Sequence, residues 1–430
     1  MNTDFYKDLE QRYKVIYPQG TGATYRSLLN YSDDLQKPFQ RWCRYKEGFS
    51  VELVAMLINR YNTNPNGTIL DPFLGSGSTI IGANLLGLNG AGFEVNPFSL
   101  HLAKCKTEIY SEQDIAELRG AAKFVIEKAL DEQIPYTLPQ LSIAHKVFNN
   151  DIEGYYLRIG KIIETLDISA KVKSLLSLGW ISKIESFANY RKAGNGLKAK
   201  KYKVPRIVTK ADIYNQMLQL YSDMIADIEE YSNSKPAQII EDTCLNMGKY
   251  IAPESISGIL FSPPYANCFD YTEIYKLELW FGGYVNSYTD LRQLRNKSLR
   301  SHLNGLLQDK IVKTSDSLTT ILDELKTKAL WDKRIPQMLS LYFSDMFRVL
   351  EKCYKVLEPG GFCAIVVGNS AYSNIVVPTD LLLAEYAEMI GFKVDQIIVD
   401  RYIITSSQQY DETKGYKEFL REGIVCLQKR

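Results

Sequence analysis

Residues 68–97 constrain the fold of this chain more than any other part of its sequence. They begin with an apolar segment, TILDPF, and continue through a glycine-rich turn, LGSGS. Helical spacing follows in TIIGANLL, and a second apolar segment, GAGFEV, comes after it. A strand, a helix and another strand form a βαβ unit, whose strands are parallel because the helix crosses between them. The sequence therefore predicts an α/β sheet.

The same alternation returns after residue 236. Strand-like segments AQII, ISGILF, FCAIVVG, KVDQIIVD and GIVCLQK are separated by helical patterns, of which MLSLYFSDMFRVLEKCYKVL is the longest. Helices that connect parallel strands cover both faces of the sheet. We therefore expect a doubly wound, mostly parallel α/β sheet of the Rossmann-like class.

Two stretches interrupt this pattern. Residues 105–235 show mainly amphipathic helical spacing, and residues 284–335 are polar. The predicted catalytic domain is therefore assembled from residues 37–104, 236–283 and 336–430. The predicted remainder is an N-terminal extension (1–36), a helical insertion (105–235) and a smaller insertion (284–335).

Composition and charge exclude several classes of function. The net charge is +1, so any affinity for nucleic acid must come from local patches. The seven cysteines are scattered without CxxC spacing and the three histidines form no ligand pair, so no metal site is expected. The N-terminus lacks the apolar core of a signal peptide, and no segment approaches the ~20 apolar residues of a membrane span. We expect a cytoplasmic protein with reduced thiols.

The glycine-rich turn indicates a ligand site. Gly75 and Gly77 allow the backbone to pass close to a ligand. Their spacing matches neither a P-loop nor a complete GxGxxG dinucleotide pattern. Asp71 precedes the turn, and its charge would repel a pyrophosphate but suits a cationic ligand.

Two more acids follow predicted strands. Glu94 ends the strand after the glycine turn, where a carboxylate can accept hydrogen bonds from ribose hydroxyls. Asp242 ends the next predicted strand and can bind an adenine amino group. In open α/β sheets, ligands bind beyond the carboxyl ends of the strands, so we expect these acids and the glycine turn to meet at one site.

The sequence FSPPY, residues 261–265, forms a rigid corner after the apolar strand ISGIL. Each proline fixes φ and lacks an N–H, so the chain must leave the strand here. The Ser262 hydroxyl and the Pro263 carbonyl are two hydrogen-bond acceptors that Pro263 and Pro264 hold in place. Such fixed acceptors suit the exocyclic amino group of a nucleobase, because they bind both N–H groups and stabilise positive charge that develops on the nitrogen. The Tyr265 ring can stack on a base that has left its duplex.

These motifs resemble those of the S-adenosylmethionine-dependent DNA amino-methyltransferases, which methylate cytosine N4 or adenine N6. DPFLGSGST is similar to the cofactor motif of that family, GFEVNP to its acidic motif, and FSPPY to its catalytic (S/D/N)PP(Y/F/W) motif. RYKEGFSVELVAMLI resembles the segment that closes over the methionine part of the cofactor, and LEPGGFCAIVVGNS resembles a later strand of the same fold. Together these segments cover about half of the chain.

The resemblance implies S-adenosylmethionine as the cofactor and assigns roles to residues. The implied catalytic residues are Ser262, Pro263, Pro264 and Tyr265. The implied cofactor-binding residues are Phe49, Ser50, Asp71, Pro72, Phe73, Gly75, Ser76, Gly77, Thr79, Glu94 and Asp242. Asp270 and Tyr271 are further candidates for the wall of the base pocket.

In the family that these motifs resemble, this order of motifs places target recognition in the insertion. Residues 182–210 carry nine basic side chains against one acid, Glu185, which gives this stretch a charge of +8. Basic side chains contact phosphates, so we expect DNA contacts from Arg191, Lys192, Lys198, Lys200 and Lys201. Arg295 and Arg300, in the smaller insertion, are expected to form a second contact with the backbone.

The target base stays open at this point. The serine form of the catalytic motif is most typical of cytosine-N4 enzymes but also occurs outside them, so adenine N6 is the alternative. An RNA base methyltransferase and a non-catalytic DNA-binding subunit are further alternatives. A dehydrogenase would leave SPPY unexplained. No nuclease motif is evident, so a role in restriction–modification would require a separate nuclease. Neither the recognition sequence nor the oligomeric state can be predicted.

Overall fold

The computed structural model describes residues 3–18, 29, 35–46, 48–194, 196–201, 207–231, 235–304, 312–403 and 414–430. Its strands, numbered in chain order, are β1 (Val15–Ile16), β2 (Thr68–Asp71), β3 (Asn89–Phe93), β4 (Tyr190–Ala193), β5 (Gly196–Ala199), β6 (Ala237–Ile240), β7 (Ile256–Phe261), β8 (Leu357–Gly368), β9 (Ser370–Tyr372), β10 (Ile375–Val377), β11 (Phe392–Tyr402) and β12 (Arg421–Lys429).

The α-helices, also numbered in chain order, are α1 (Thr3–Glu10), α2 (Val51–Tyr61), α3 (Ser78–Leu85), α4 (Pro97–Thr107), α5 (Glu112–Lys128), α6 (Asn150–Thr165), α7 (Ala170–Ser182), α8 (Ile184–Phe187), α9 (Lys210–Glu230), α10 (Tyr271–Ile274), α11 (Lys276–Phe281), α12 (Tyr288–Lys297), α13 (Asp316–Lys326), α14 (Ile335–Val356) and α15 (Thr379–Met389).

Eight strands form one sheet in the order β1-β11-β12-β8-β7-β2-β3-β6. Neighbouring strands are parallel except for β12, which runs antiparallel to both β11 and β8. The chain passes from β2 outward to β3 and β6 and then returns to add β7 on the other side of β2. The strand order therefore reverses between β2 and β7, and the carboxyl ends of these two strands border the crevice in which such sheets bind ligands.

Helices cover both faces of this sheet. Alternate residues of β7 illustrate the division, because Leu260 packs with the side chains of α2, whereas Ile259 and Phe261 pack with those of α13, α14 and α15. This two-sided burial explains the continuous apolar run of β7. The predicted doubly wound, mostly parallel fold is confirmed.

The helical insertion has a core of its own. Helices α5, α6, α7 and α9 bury Leu118, Tyr156, Leu176 and Met217 in one cluster, and α4 and α11 of the catalytic domain contribute to it. The insertion is thus helical, as expected, but it also carries the hairpin of β4 and β5.

Residues 3–18, in the predicted N-terminal extension, pack onto the catalytic domain. Strand β1 pairs with β11 at the edge of the sheet, and the fully buried Tyr6 donates a hydrogen bond to the Val376 carbonyl. A two-residue strand is too short for an alternating pattern to be recognised in the sequence. None of the helices in the described residues is long and apolar enough to cross a membrane.

Candidate active site

One open cavity lies beyond the carboxyl ends of β2, β3, β6 and β7, and its free space, with the solvent at its mouth included, amounts to about 1060 Å³. It brings together many of the residues that the sequence singled out from four separate segments. Those in its wall are Phe49, Pro72, Phe73, Gly75, Ser76, Glu94, Asp242, Ser262, Pro264, Asp270 and Tyr271. The convergence of distant motifs on one cavity makes it the candidate active site.

The glycine turn joins β2 to α3 and forms one side of the cavity. Gly75 and Gly77 have φ values of +52° and +85°, which favour glycine over other residues. A Cβ atom at Gly75 would lie 3.1 Å from the Tyr45 hydroxyl oxygen. Gly75 therefore allows both the turn and the close approach of Tyr45, which also lines the cavity.

Asp71 has a different position from the one expected for a ligand-facing acid. It is 1% exposed, and its carboxylate accepts hydrogen bonds from the Thr79 hydroxyl (2.6 Å) and the Phe73 N–H (2.9 Å). Burial raises the pKa of Asp71 to about 7. Asp71, Gly77 and Thr79 lie behind the cavity wall, where Asp71 and Thr79 brace the glycine turn. The prediction that Asp71 itself faces a cationic ligand is wrong.

Glu94 borders the cavity and also fixes the glycine turn. Its carboxylate accepts hydrogen bonds from the N–H groups of Gly75 (2.8 Å), Val95 (2.8 Å) and Asn96 (2.7 Å). The Gly75 bond goes to Oε2 and the other two go to Oε1, so Oε2 keeps a lone pair for a ligand. Burial raises the pKa of Glu94 to about 7, although the three N–H groups act in the opposite direction.

Asp242, the acid after β6, is oriented by its own segment. It accepts hydrogen bonds from the Thr243 N–H (2.8 Å), the Asn246 side chain (3.0 Å) and the Tyr250 hydroxyl (2.8 Å). Desolvation acts to raise the pKa of Asp242, but these donors together hold it below its usual value. Asp242 is thus an ionised carboxylate fixed at the cavity wall.

The segment before the glycine turn closes another side of the cavity. Phe49 lines it, whereas the buried Ser50 caps α2 by accepting a hydrogen bond from the Leu53 N–H (3.1 Å). Tyr45 stacks on Tyr275 with ring centroids 5.1 Å apart. The motif was expected to contribute both Phe49 and Ser50 to cofactor binding, but the structure places only Phe49 at the surface of the cavity.

The catalytic motif follows β7 directly. Ser262 and Pro264 line the cavity, and the buried Pro263 lies behind them. The Tyr265 hydroxyl donates a hydrogen bond to Oε1 of Glu422 (2.6 Å), on β12. The Tyr265 ring lies against Gly368, where a Cβ atom would come within 3.0 Å of it.

The smaller insertion contributes to the cavity in a way that the sequence analysis missed. Its residues at the wall are Leu294, Lys297, Ser298, Leu299, Ser301 and His302. Burial lowers the pKa of His302, so its imidazole is neutral at pH 7. The Asn304 N–H donates to His302 Nδ1 (3.2 Å), which assigns the ring hydrogen to Nε2. The sequence predicted a contact with the DNA backbone for this segment, and no motif marks it as pocket lining.

Arg295 and Arg300 were expected to contact DNA, and the structure corrects this expectation. The Arg295 guanidinium binds Asp270 (2.8 Å) and Glu273 (2.6 Å). Arg300 binds Asp345 (2.9 Å), and both arginine side chains are largely buried. They stabilise the wall of the cavity and do not present a charge to solvent.

The β4–β5 hairpin carries three basic residues of the stretch, Arg191, Lys192 and Lys198. Arg191 and Lys198 are exposed and lie opposite each other in the register of the hairpin. Lys192 points to the other face, where it is buried and ion-paired with Glu278 (2.5 Å). The expected DNA contact of Lys192 is therefore wrong, because side chains alternate along a strand and residue 192 faces the core.

The other predicted contacts of this stretch differ in their surroundings. Lys200 donates to the Glu185 carbonyl (2.7 Å), and Lys201 is exposed. Lys203 and Arg206 lie outside the described residues. Lys46, just before the cofactor segment, donates to the Gly194 carbonyl (2.8 Å) at the turn of the hairpin, so the hairpin is tied to the side of the cavity.

The fold and the site together define an S-adenosylmethionine-dependent methyltransferase. The strand order reverses at the cavity. Glu94 follows β3, and the Ser-Pro-Pro-Tyr motif follows β7. Within the described residues, no cluster of side chains is arranged to hold a metal ion.

Comparisons with known proteins agree with this class. The family model N6_N4_Mtase, described as DNA methylase, matches residues 6–104. Type II methyltransferase M.BsoBI of Geobacillus stearothermophilus is 28% identical, covering 98% of this chain and 91% of that protein. Type II methyltransferase M.AvaI of Nostoc sp. is 27% identical, covering 99% and 93%. These similarities support the S-adenosylmethionine-dependent DNA amino-methyltransferase family that the sequence motifs predicted.

A more distant relative and a solved structure were also found. Type II methyltransferase M.MvaI of Kocuria varians is 22% identical, covering 74% of this chain and 73% of that protein. TrmN from Thermus thermophilus matches with a TM-score of 0.29 at 11% identity, covering 88% of this chain and 49% of that chain. A structural likeness at this level adds nothing to the assignment.

Proposed function

We propose that this enzyme transfers a methyl group from S-adenosylmethionine to the exocyclic N4 of cytosine in DNA. The observation that carries the proposal is that the serine form of the catalytic motif shares one cavity with the glycine turn. Glu94 and Asp242 lie in the wall of the same cavity.

The residues in the wall fit S-adenosylmethionine. The lone pair that remains on Glu94 Oε2 suits a ribose hydroxyl, and Gly75 lets the ligand approach the backbone. Phe49, Pro72 and Phe73 offer apolar surface to the rest of the molecule. When bound, the cofactor supplies an electrophilic methyl group.

The catalytic motif supplies the environment of the amino group. The Ser262 hydroxyl oxygen and the Pro263 carbonyl oxygen accept hydrogen bonds from its two N–H groups. This pairing orients the nitrogen lone pair toward the methyl group and stabilises the positive charge that develops on the nitrogen. The prolines hold both acceptors in place before the base arrives, so little reorganisation is needed.

The exposed face of the hairpin fits a DNA backbone. Arg191 and Lys198 are like charges placed directly opposite each other, an arrangement that is unfavourable in the free protein and favourable beside phosphates. The full-length relatives are named Type II methyltransferases, which supports a role in a restriction–modification system with a separate nuclease. Cleavage of unmodified DNA by the purified protein with magnesium would contradict a separate nuclease.

Mass spectrometry of nucleosides tests the proposal. Mixed genomic DNA is incubated with the protein and isotopically labelled S-adenosylmethionine, digested, and analysed for labelled N4-methylcytosine and N6-methyladenine. We expect labelled N4-methylcytosine, and we expect Ser262→Ala to lower turnover by about a hundredfold because a preorganised charge-stabilising contact is lost.

Cofactor binding of the Ser262→Ala variant, measured by thermal stabilisation, serves as the control and should be unchanged, because Ser262 contacts the base. Detection of labelled N6-methyladenine would change the assigned target base to adenine and leave the proposed mechanism unchanged. Full activity of Ser262→Ala would refute the assigned role of the catalytic motif.

A further inference from the structure

The catalytic motif is connected to a buried ion pair on the neighbouring strands of the sheet. The Ser262 hydroxyl lies 3.5 Å from the Tyr265 hydroxyl, which in turn donates to Oε1 of Glu422 at 2.6 Å. The other carboxylate oxygen of Glu422 accepts from Nε (2.6 Å) and Nη2 (2.5 Å) of Arg401. A continuous row of polar contacts therefore runs from the cavity wall to a carboxylate that is 6% exposed.

The backbone of the sheet builds this row. Glu422 lies opposite Gly368 in the β12–β8 register and opposite Arg401 in the β12–β11 register. Gly368 has no side chain, and a Cβ atom there would come within 3.0 Å of the Tyr265 ring. The ring therefore packs closely against β8, and its hydroxyl donates to Glu422.

We propose that Glu422, held by Arg401, is a positioning residue that fixes the direction of the hydrogen bonds in the catalytic motif. The argument rests on the proposed role of Ser262 as an acceptor. An ionised carboxylate can only accept hydrogen bonds, and Arg401 is always protonated and occupies Oε2 with two N–H groups. Tyr265 must therefore donate to Oε1.

The direction of the hydrogen bond from Tyr265 to Glu422 then sets the direction of the bond between Ser262 and Tyr265. Because the Tyr265 hydrogen is committed to Glu422, the Tyr265 oxygen is available as an acceptor for the Ser262 hydroxyl hydrogen. The Ser262 oxygen then presents its lone pairs to the cavity. This is the orientation that an acceptor for a target N–H group requires. Without Glu422, the two hydroxyls could rotate, and Ser262 would direct its hydrogen toward the amino group in part of the population.

Two variants isolate this effect. Glu422→Gln keeps the shape of the side chain but removes the charge and adds a donor, so the direction of the row is no longer fixed. Tyr265→Phe keeps the aromatic ring against β8 and removes only the hydroxyl. We expect each variant to lower kcat by about tenfold at saturating cofactor and DNA, the size typical of one charge-assisted contact. We expect the KM for S-adenosylmethionine to change less than twofold, because Glu422 lies outside the cavity wall.

The double variant gives a readout that a general loss of structure would not produce. Since Glu422 acts through the Tyr265 hydroxyl, Glu422→Gln should have no further effect on kcat in the Tyr265→Phe background. Tyr386→Phe is a matched control, because the Tyr386 hydroxyl donates to Glu351 (2.8 Å), which is paired with Lys313 (2.5 Å) far from the catalytic motif. Its kcat should equal that of the wild type.

The outcomes separate this inference from the proposed function. Wild-type kcat in Glu422→Gln or in Tyr265→Phe would overturn the inference, and so would independent, multiplicative losses in the double variant. If Glu422→Gln unfolds, Tyr265→Phe alone decides, since it leaves the Glu422–Arg401 pair intact. An inactive Ser262→Ala beside fully active Glu422→Gln and Tyr265→Phe would overturn the inference only. A fully active Ser262→Ala would overturn the proposed function on which it rests.

Discussion

The affinity for S-adenosylmethionine should rise with pH because of Glu94. This carboxylate borders the cavity and has a pKa of about 7, raised by burial. In the proposed binding mode, Oε2 of the ionised carboxylate accepts a hydrogen bond from a ribose hydroxyl, whereas protonation places a hydrogen on the carboxyl group and removes part of its acceptor capacity. Cofactor binding therefore favours the ionised form.

The magnitude follows from the pKa. A group that titrates near 7 is ionised to about 9% at pH 6 and to about 91% at pH 8, so a ligand that requires the ionised form should bind about tenfold more tightly at pH 8. Isothermal titration calorimetry with S-adenosylmethionine at pH 6, 7 and 8 measures this change. Near pH 7 binding should also release protons, which appear as a dependence of the enthalpy on the buffer.

Asp71 provides the control, since burial also raises its pKa to about 7 but it lies behind the cavity wall. Glu94→Gln should abolish the pH dependence of the affinity, and Asp71→Asn should retain it. Equal pH dependence in the wild type and Glu94→Gln would refute the reasoning. In the cofactor-free protein the sign is opposite. A raised pKa in the folded state contributes stability at low pH that is lost as the pH rises from about 4.5 through about 7, so the wild type should lose stability relative to Glu94→Gln between these two pH values.

Two further predictions concern the hairpin and the glycine turn. Replacing Arg191 and Lys198 by alanine should lower DNA affinity for all sequences and reduce the slope of log K against log salt by about 2, at ~0.9 per phosphate, whereas Lys123→Ala on α5 should leave the slope unchanged. An unchanged slope in the double variant would exclude this face as a DNA contact. Gly75→Val should weaken cofactor binding at least tenfold, because φ is +52° and a Cβ would crowd the Tyr45 hydroxyl at 3.1 Å. Wild-type affinity of Gly75→Val, measured by the same calorimetry, would contradict this assignment.

The sheet was predictable because its signals are local. The strand β7 has a continuous apolar run that ends at two prolines, and the glycine turn has its own composition. The roles of Asp71 and Lys192 were not predictable in the same way. Whether an acid at a strand end faces a ligand or braces a turn depends on a rotation of a few tens of degrees. Whether a lysine in a basic stretch is exposed depends on the register of a short hairpin. Both are decided by tertiary packing.

The cavity residues that were not predicted from the sequence have a different explanation. Lys297, Ser301 and His302 come from a polar segment whose path is set by contacts with distant elements. Arg300 is tied to Asp345 on α14, and Arg295 to Asp270 beyond the catalytic motif. Ion pairs between residues 25 and 45 positions apart leave no periodic signal in the sequence. Charge composition alone favoured the simpler interpretation of an exposed, DNA-facing loop.

The buried Lys192 also shows how the insertion is joined to the cofactor side of the enzyme. Lys192 pairs with Glu278 on α11 and lies 4.3 Å from the centre of the Tyr275 ring. Tyr275 stacks on Tyr45, whose hydroxyl approaches Gly75 in the glycine turn. The hairpin that we propose to contact DNA through Arg191 is thus packed, through a few contiguous side chains, against the glycine turn of the cavity. Removing one member of the Lys192–Glu278 pair would leave an uncompensated buried charge. The intact pair therefore stabilises the packing of the basic hairpin against the glycine turn.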